Sequence, residues 1–417
     1  MDKPQSRALS KPMSSASEAR YFDRATPPHI STLIAATALG AMSMNIFLPT
    51  LPQMAEYFQA DYALMQRSVT LYLLINAILQ LGIGPISDRI GRRPVLLGSF
   101  TLFCIATIGC IFAPTAEIFL AFRMAQAVVV AGLVLGRAVV RDIVPGPQAA
   151  AMIGYVTMGM ALVPMIGPVV GGTLGETFGW QANFVLLLAT GLLVLTLTWF
   201  DLGETARSAT GRLRDQIREY PELLTSRRFW GYCGATTFAS GAFFAYLGGA
   251  PYVGSEIYHL SPSRVGFYFG APALGYFCGN FVAARASVRL GINRMILYGT
   301  TISTTGLIIP VALHFMGLDT APIFFGSVTL VGLGNGMTMA NGNSGMLSVR
   351  PHLAGSASGV GGAVMLAGGA GLADLAGNAL AGSSTAMPLV AIMMASSALS
   401  MVAILYTIRR ERFVTGG

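Results

Sequence analysis

The chain has 417 residues, of which 53% are apolar and only 11% charged, with a mean hydropathy of +0.63. A soluble domain carries about 25% charged residues, so this composition excludes a soluble globular protein and points to many membrane spans rather than one anchor. The formal net charge is +8, but the basic residues sit in short stretches between apolar runs, which argues against a nucleic-acid partner.

Met1 to Pro28 is polar and carries Lys3, Arg7, Lys11, Arg20 and Arg24. It lacks the apolar core of a signal peptide and reads as a cytoplasmic tail. About 20 apolar residues cross the hydrocarbon. Twelve segments meet that test: 30–52, 67–86, 95–113, 118–139, 150–174, 183–201, 229–252, 265–284, 295–316, 321–345, 355–378 and 386–408. The predicted fold is an all-α membrane protein with two pseudo-symmetric six-helix halves. These cover 29–202 and 229–408, with a cytoplasmic linker at 203–228 and a C-terminal tail at 409–417. Arg89-Ile90-Gly91 recurs as Arg289-Leu290-Gly291, again after the second helix of its half, which supports a duplication.

Arginine sets the orientation. One set of connections carries Arg89, Arg92, Arg93, Arg141, Arg207, Arg212, Arg214, Arg218, Arg227, Arg228, Arg285, Arg289, Arg294, Arg350, Arg409, Arg410 and Arg412. The opposite set carries Glu56, Asp61, Glu117, Glu176, Glu256 and Asp319, with only Arg67 and Arg264 basic. The positive-inside rule then places both termini in the cytoplasm. Cys104, Cys110, Cys233 and Cys278 all lie within apolar runs, without zinc spacing or disulfide logic, and read as small packing residues.

Several stretches carry more than hydropathy. Helix one contains Asn45 within Ser43 to Pro52. Between helices two and three runs Gly84-Pro85-Ile86-Ser87-Asp88-Arg89-Ile90-Gly91-Arg92-Arg93-Pro94, a tight basic turn that can pin two helices together. Helix four holds Arg123 and Gln126, with Arg141 and Asp142 after it. Arg123 lies roughly 8 Å and Asn45 roughly 9 Å from the outer ends of their helices at about 1.5 Å per residue. A cation at that depth either lines a hydrated cavity or snorkels to the headgroups. Helix five reads Val163-Pro164-Met165-Ile166-Gly167-Pro168-Val169-Val170-Gly171-Gly172, two kinking prolines with glycines that admit a neighbour. Glycine-rich helices suit both close packing and sliding. Mid-depth Tyr72, Asn76, Gln80, Phe243, Tyr246, Tyr268, Tyr276, Asn335, Asn341 and Asn343 are candidate cavity wall. Asp374 is the remaining carboxylate at membrane depth: a proton site, or a residue reaching the outer interface. No Walker loop, reactive cluster or metal spacing stands out, so no cofactor, no ATP and no enzyme activity are expected.

The Gly84 to Pro94 loop resembles the signature loop of the major facilitator superfamily. Leu120-Ala121-Phe122-Arg123-Met124-Ala125-Gln126 resembles that superfamily's helix-four motif, with Ala127 where a glycine is usual. The Gly167-Pro168 to Gly171-Gly172 pattern resembles its exporter motif. With Ser43 to Pro52, Phe243-Phe244-Ala245-Tyr246-Leu247 through Pro251, Val140-Arg141-Asp142 and Gly179-Trp180-Gln181, the likeness narrows. It is to the drug–proton antiporter branch that includes bicyclomycin- and chloramphenicol-resistance exporters. The resemblance implies alternating access in a bacterial inner membrane, a small amphipathic substrate, proton antiport and a monomer. The helix-four resemblance implies that Arg123 faces the transport cavity; with Asn45 and Gln126 beside it and Tyr72, Asn76, Tyr246 and Asn335 from the mid-depth set, these are the expected substrate contacts. A conformational latch of the outward-facing state is expected at Gly84, Asp88, Arg89, Gly91, Arg92, Arg93, Arg141 and Asp142, and the resemblance implies an antiporter motif at Pro164, Gly167, Pro168, Gly171 and Gly172. The branch has an aspartate where this chain has Asn45. An amide cannot titrate, so coupling either passes through Asp374 or is absent, as in a sugar or amino-acid exporter or facilitator of the same fold.

Overall fold

The computed structural model describes residues 21–24, 26–144, 146–206, 221–350 and 353–415. Most of the expected N-terminal tail, linker positions 207–220 and the last two residues lie outside them. The described residues are helical with no strand. The helices are α1 (Ile30–Asn45), α2 (Leu51–Tyr57), α3 (Tyr62–Ile90), α4 (Arg92–Ile111), α5 (Ala116–Ala125), α6 (Val130–Ile143) and α7 (Gly146–Phe178). There follow α8 (Gln181–Asp201), α9 (Arg227–Tyr252), α10 (Pro262–Leu290), α11 (Ile292–Phe315), α12 (Ala321–Val349), α13 (Ala354–Leu380) and α14 (Met387–Thr415).

Nine helical stretches among the described residues are long and apolar enough to cross a membrane. Two of them are broken helices: α1 with α2, and α5 with α6. Three more long helices, α7, α9 and α10, pack among them. Helix α9 is buried along most of its length by protein. A helix surrounded by protein needs no lipid-facing apolar surface, which is why its composition runs to Gly, Thr, Ser and Tyr.

The helices α1–α8 pack chiefly on one another, as do α9–α14, and the two groups meet through α7 against α10 and α3 against α13. One end of the bundle gathers the arginine-bearing connections and the other the acidic ones. At the arginine end, carboxylates hold the starts of helices, where unpaired N–H groups favour negative charge. Buried Asp201 closes α8 and accepts from the Thr32 hydroxyl at 2.6 Å and the His29 backbone N–H at 2.8 Å, fixing the start of α1. Glu204 accepts from the Arg92 and Arg93 backbone N–H groups at 2.8 and 3.3 Å, capping α4. In the second group Glu411 accepts from the Asn293 side chain at the start of α11 (2.5 Å), from the Tyr232 hydroxyl (3.0 Å) and from Arg228. In both groups a carboxylate at or just beyond the end of the sixth membrane pass, Glu204 or Glu411, anchors the start of the third. Gly91 and Gly291 precede those starts with φ of +110° and +81°, a backbone region that favours glycine. The Arg-Ile-Gly echo in the sequence is thus a shared turn.

The hydrogen bonds that cross between the groups, among the described residues, all lie at the acidic end. Tyr62 donates to the Gly248 carbonyl (2.9 Å), Gln66 to the Ala373 carbonyl (2.5 Å), and the Ser263 N–H to Glu176 (3.1 Å). The Ser263 bonds hold the Glu176 carboxyl below its ordinary range. Glycines bring the backbones together there: a Cβ at Gly172 would meet the Pro262 carbonyl, and one at Gly266 the Pro168 carbonyl. The acidic end is closed.

Candidate functional site

Two breaks at similar depth build the site. Helix α1 stops at Asn45, and a short 3-10 turn at Leu48–Thr50 carries the chain into α2. Pro49, at the second position of that turn, cannot donate to the α-helical ladder. Helix α5 stops at Ala125, and the 3-10 segment Gln126–Val129 leads into α6. Each sequence segment was expected to form one continuous span; each forms two helical pieces. Gly171 of α7 packs its backbone onto the Ile46 carbonyl at the first break.

Arg123 occupies the space between the breaks. It is 1% exposed and does not reach the headgroup end. Its guanidinium donates to the Ser43 carbonyl at 2.8 Å, the Ser43 hydroxyl at 3.0 Å and the Gln126 carbonyl oxygen at 2.8 Å. Gln126 is fixed in turn by its Nε2, which donates to the Thr107 hydroxyl at 2.7 Å. The Tyr72 ring lies 3.8 Å and the Phe47 ring 4.6 Å from the guanidinium carbon. Tyr72 donates its hydroxyl to Ser43 at 3.2 Å.

Among the described residues no carboxylate lies beside this buried cation. Burying an ion costs several kcal/mol even after relaxation. Ring faces offset about 2 kcal/mol when desolvated, and the Ser43 carbonyl at the C-terminal end of α1 supplies the negative end of a helix dipole. The compensation is dipolar throughout. Lysine could not span Ser43 and Gln126 while stacking on Tyr72. Arg123→Lys is therefore expected to lower transport by about tenfold or more while the protein remains folded, measured as uptake into vesicles beside a melting curve in detergent. Undiminished uptake would remove Arg123 from the site.

The other predicted residues divide between two places. Asn45 donates its amide N–H to the Ala41 carbonyl at 2.8 Å, and its amide oxygen is buried without a partner among the described residues. Arg123 takes Ser43 instead of that oxygen. Asn76 and Asn335 are buried with unpartnered side-chain oxygens. Tyr246, with an unpartnered hydroxyl, belongs to an aromatic cluster on the second group of helices, with Phe269 at 5.1 Å and Phe324 and Phe325 at 6.4 and 6.3 Å. Asp374 accepts from Asn378 one turn along its own helix at 3.0 Å, and Asn343 is exposed.

In the basic loop Arg92 is the hub. It pairs with Asp88 and with Asp142 at 3.2 Å, and donates to the Ser87 hydroxyl, joining α3, α4 and α6. Arg93 donates to the Leu202 and Trp199 carbonyls at 2.9 and 3.1 Å and lies over the Trp199 ring. Arg89 and Arg141 are exposed. Gly84 has open space around it, while Gly167 and Pro168 are buried in α7, and Pro164 is half-buried. Of the cysteines, three are buried and Cys278 is exposed.

Sequence reasoning missed three contributors. Ser43 provides two of the contacts to Arg123, but a serine in an apolar run has no signal of its own. Glu204 caps α4 from a segment 112 positions away. Arg137 was readable, as an arginine inside the expected fourth span. It is exposed on α6.

Broken helices meeting around a buried cation that only dipoles and ring faces offset, inside two helical groups closed at one end, mark a polytopic membrane protein with a polar interior. The sequence profile of the Major Facilitator Superfamily matches residues 33–373, and the chain belongs to that superfamily. Its members here are transporters, not enzymes. The chain is 29% identical over 384 residues to an uncharacterized MFS-type transporter, YdgK, of Bacillus subtilis (strain 168), covering 90% of this chain and 93% of that one. It is 29% identical over 330 residues to a chloramphenicol resistance protein of Pseudomonas aeruginosa, covering 77% of each. It is 26% identical over 396 residues to a bicyclomycin resistance protein homolog of Haemophilus influenzae (strain ATCC 51907 / DSM 11121 / KW20 / Rd), covering 91% and 98%. These names agree with the drug–proton antiporter branch that the sequence motifs resemble. Among solved structures the fold matches a bacterial homolog of the human lysosomal transporter Spinster in an inward-facing, occupied conformation. That match has a TM-score of 0.69 at 16% identity, over 92% of this chain and 96% of that one. It also matches a D-xylose–proton symporter, with a TM-score of 0.70 at 14% identity over 91% and 96%.

Proposed function

We propose that this protein exports small amphipathic compounds across a bacterial inner membrane by alternating access, with both termini in the cytoplasm. The observation that carries the reading is the one-sided closure. Cross-group hydrogen bonds gather at the acidic end, and the glycines of α7 and α10 let backbones touch there. The positive-inside rule makes that end periplasmic, so the molecule is closed outside and loads from the cytoplasm. Rocking of the two groups about α3–α13 and α7–α10 would expose the Arg123 region to either side in turn. The Arg92 hub then acts within its own half as a strut for that rigid-body motion. The relatives named for chloramphenicol and bicyclomycin resistance support a drug-like cargo.

Proton antiport follows from the branch, with Asp374 the remaining carboxylate at depth. Asn45 favours a second reading, in which the same cycle runs as a facilitator or metabolite exporter without protons at this position. Its amide already makes the bond to the Ala41 carbonyl that a protonated acid would make. The test is uptake of labelled chloramphenicol into inverted membrane vesicles, combined with cysteine labelling of both termini. Uptake above that of vesicles lacking the protein, with both ends on the cytoplasmic face, supports the exporter. Ends on opposite faces, or uptake of neither chloramphenicol nor bicyclomycin, would overturn it.

A further inference from the structure

On the outer wall of the first group, α4 packs against α8 and leaves a groove of about 350 Å³. It is lined by Leu97 and Thr101 of α4 and by Leu195, Thr196, Trp199 and Phe200 of α8. Small-molecule sites run from about 300 to 1,000 Å³. Trp199 and Phe200 stand in the last turn of α8, at the arginine end of the groove. Two guanidiniums converge on this rim. The guanidinium carbon of Arg93 lies 5.2 Å and that of Arg24 5.4 Å from the centre of the Trp199 ring, and Arg24 is also 5.9 Å from Phe200. Both are positioned by the fold. Arg93 shares one face of α4 with Leu97 and Thr101, and carbonyls of Leu202 and Trp199 fix its Nε and Nη2. The Arg24 main chain is seated on Gly203, where a Cβ would meet the Arg24 carbonyl. The Phe22 and His29 N–H groups on either side of it donate to Asp201 at 3.2 and 2.8 Å.

Two guanidiniums beside one ring repel each other unless an anion joins them. Among the described residues neither one pairs with a carboxylate, and Arg93 bonds only neutral carbonyls. The nearby acidic groups are engaged elsewhere. Asp201 is buried on the start of α1. Glu204 accepts from the backbone N–H groups of Arg92, Arg93, Thr205 and Ala206. Asp88 and Asp142 hold Arg92, and half-buried Asp23 has a partner of its own. The surroundings select the missing anion. Tyr21, Phe22, Trp199 and Phe200 are all exposed, rings of the kind that sit where headgroups meet hydrocarbon. Beyond them the groove is apolar but for two hydroxyls, of which Thr196 is spent on the Leu192 carbonyl. Cations above an apolar trough fit a molecule with a phosphate at one end and an alkyl chain at the other. Guanidinium binds phosphate oxygens through paired N–H groups, and a free phosphate would leave the trough empty.

We propose that α4 and α8 hold one anionic phospholipid in the leaflet at the arginine end, its phosphate bound by Arg24 and Arg93 and one acyl chain lying along the Leu97–Leu195 groove. The site is on the lipid-facing wall, away from the Arg123 region, and stands independently of the exporter reading.

Trp199 is the reporter. The full-length chain, with Trp230→Phe, is reconstituted in vesicles of one fixed mixture of phosphatidylglycerol and phosphatidylcholine. The acyl chains of either the first or the second lipid are brominated, and bromine quenches a nearby indole. The other indole, Trp180, is buried at the acidic end among Tyr57, Phe58 and Phe119. Brominated phosphatidylglycerol is expected to quench as though enriched about tenfold or more beside Trp199, since each arginine near a membrane surface contributes about fivefold. Arg24→Gln should lower that enrichment about fivefold, and Arg93→Gln should lower it too. Arg24→Lys, which keeps the charge, should retain it. Arg409→Gln removes an exposed cation at the same end in the second group and should leave the enrichment unchanged. Arg24 has an exposed side chain and a separately anchored main chain, so its replacement does not disturb the fold. Equal quenching by the two brominated lipids, an enrichment that survives Arg24→Gln, or an equal fall in Arg409→Gln would overturn the site.

Discussion

Gly266→Leu should abolish transport and hold the protein open at its acidic end. Gly266 of α10 lies against the Pro168 carbonyl of α7, and its partner Gly172 lies against the Pro262 carbonyl. These contacts are backbone on backbone, so no side-chain rotation can make room. Overpacking a fitted interface costs about 1–3 kcal/mol for even small additions, and leucine adds four carbons. A penalty of that size, felt only in the closed state, shifts a two-state equilibrium by about tenfold or more. Each half should fold normally, because the contact lies between them. The shift is measurable as a longer spin-label distance between Gln59 and Ser255, which line the two sides of the closed end, in a background with exposed Cys278 changed to serine. Unchanged distances with unchanged uptake would show that the α7–α10 contact does not gate the route. Gly171→Leu offers the contrast. Gly171 packs on the Ile46 carbonyl within the first group, so its replacement should reduce folded yield rather than shift the distance.

Asn45→Asp should convert a pH-insensitive step into a pH-dependent one. The native amide donates to the Ala41 carbonyl at 2.8 Å. Only the protonated acid can keep that bond, because a carboxylate has no hydrogen to give. Losing the proton also places a negative charge in the same buried break that holds Arg123, where it would draw on the guanidinium now bonded to Ser43. Proton release and local rearrangement therefore become linked. In inverted vesicles with an imposed pH gradient, Asn45→Asp is expected to raise gradient-driven uptake by about tenfold over the native chain, with uptake collapsing when the gradient is dissipated. Equal uptake in both proteins, collapsing equally without the gradient, would mean that coupling runs through another group. Asp374→Asn then tests the remaining carboxylate directly.

The fold was legible because hydrocarbon imposes a simple demand on local sequence. A span must hide its backbone polar groups in a helix and show apolar side chains to lipid, and both leave a record in a window of about 20 residues. Where the demand is absent the record weakens, as in α9, which protein rather than lipid surrounds. The basic loop was legible for a related reason: Asp88 and Arg92 stand four apart on the chain, and a short turn keeps them close. The site was legible only in its inventory. Arg123 and Asn45 were recognisable as polar groups at depth, yet their partners were not. The guanidinium turned to Ser43, 80 positions away, instead of the nearer-seeming amide oxygen.

The amino-acid sequence alone determined the membrane class, the helical architecture, the family and the sign of each loop, since all depend on composition within short stretches. Tertiary structure alone decided where α1 and the α5–α6 pass break and that the acidic end is shut. It also decided that Asp201, Glu204 and Glu411 are spent on the starts of helices far away in the chain. Those outcomes depend on which dipoles and carbonyls a fold brings within about 3 Å of a charge, and separation along the chain carries no information about that distance.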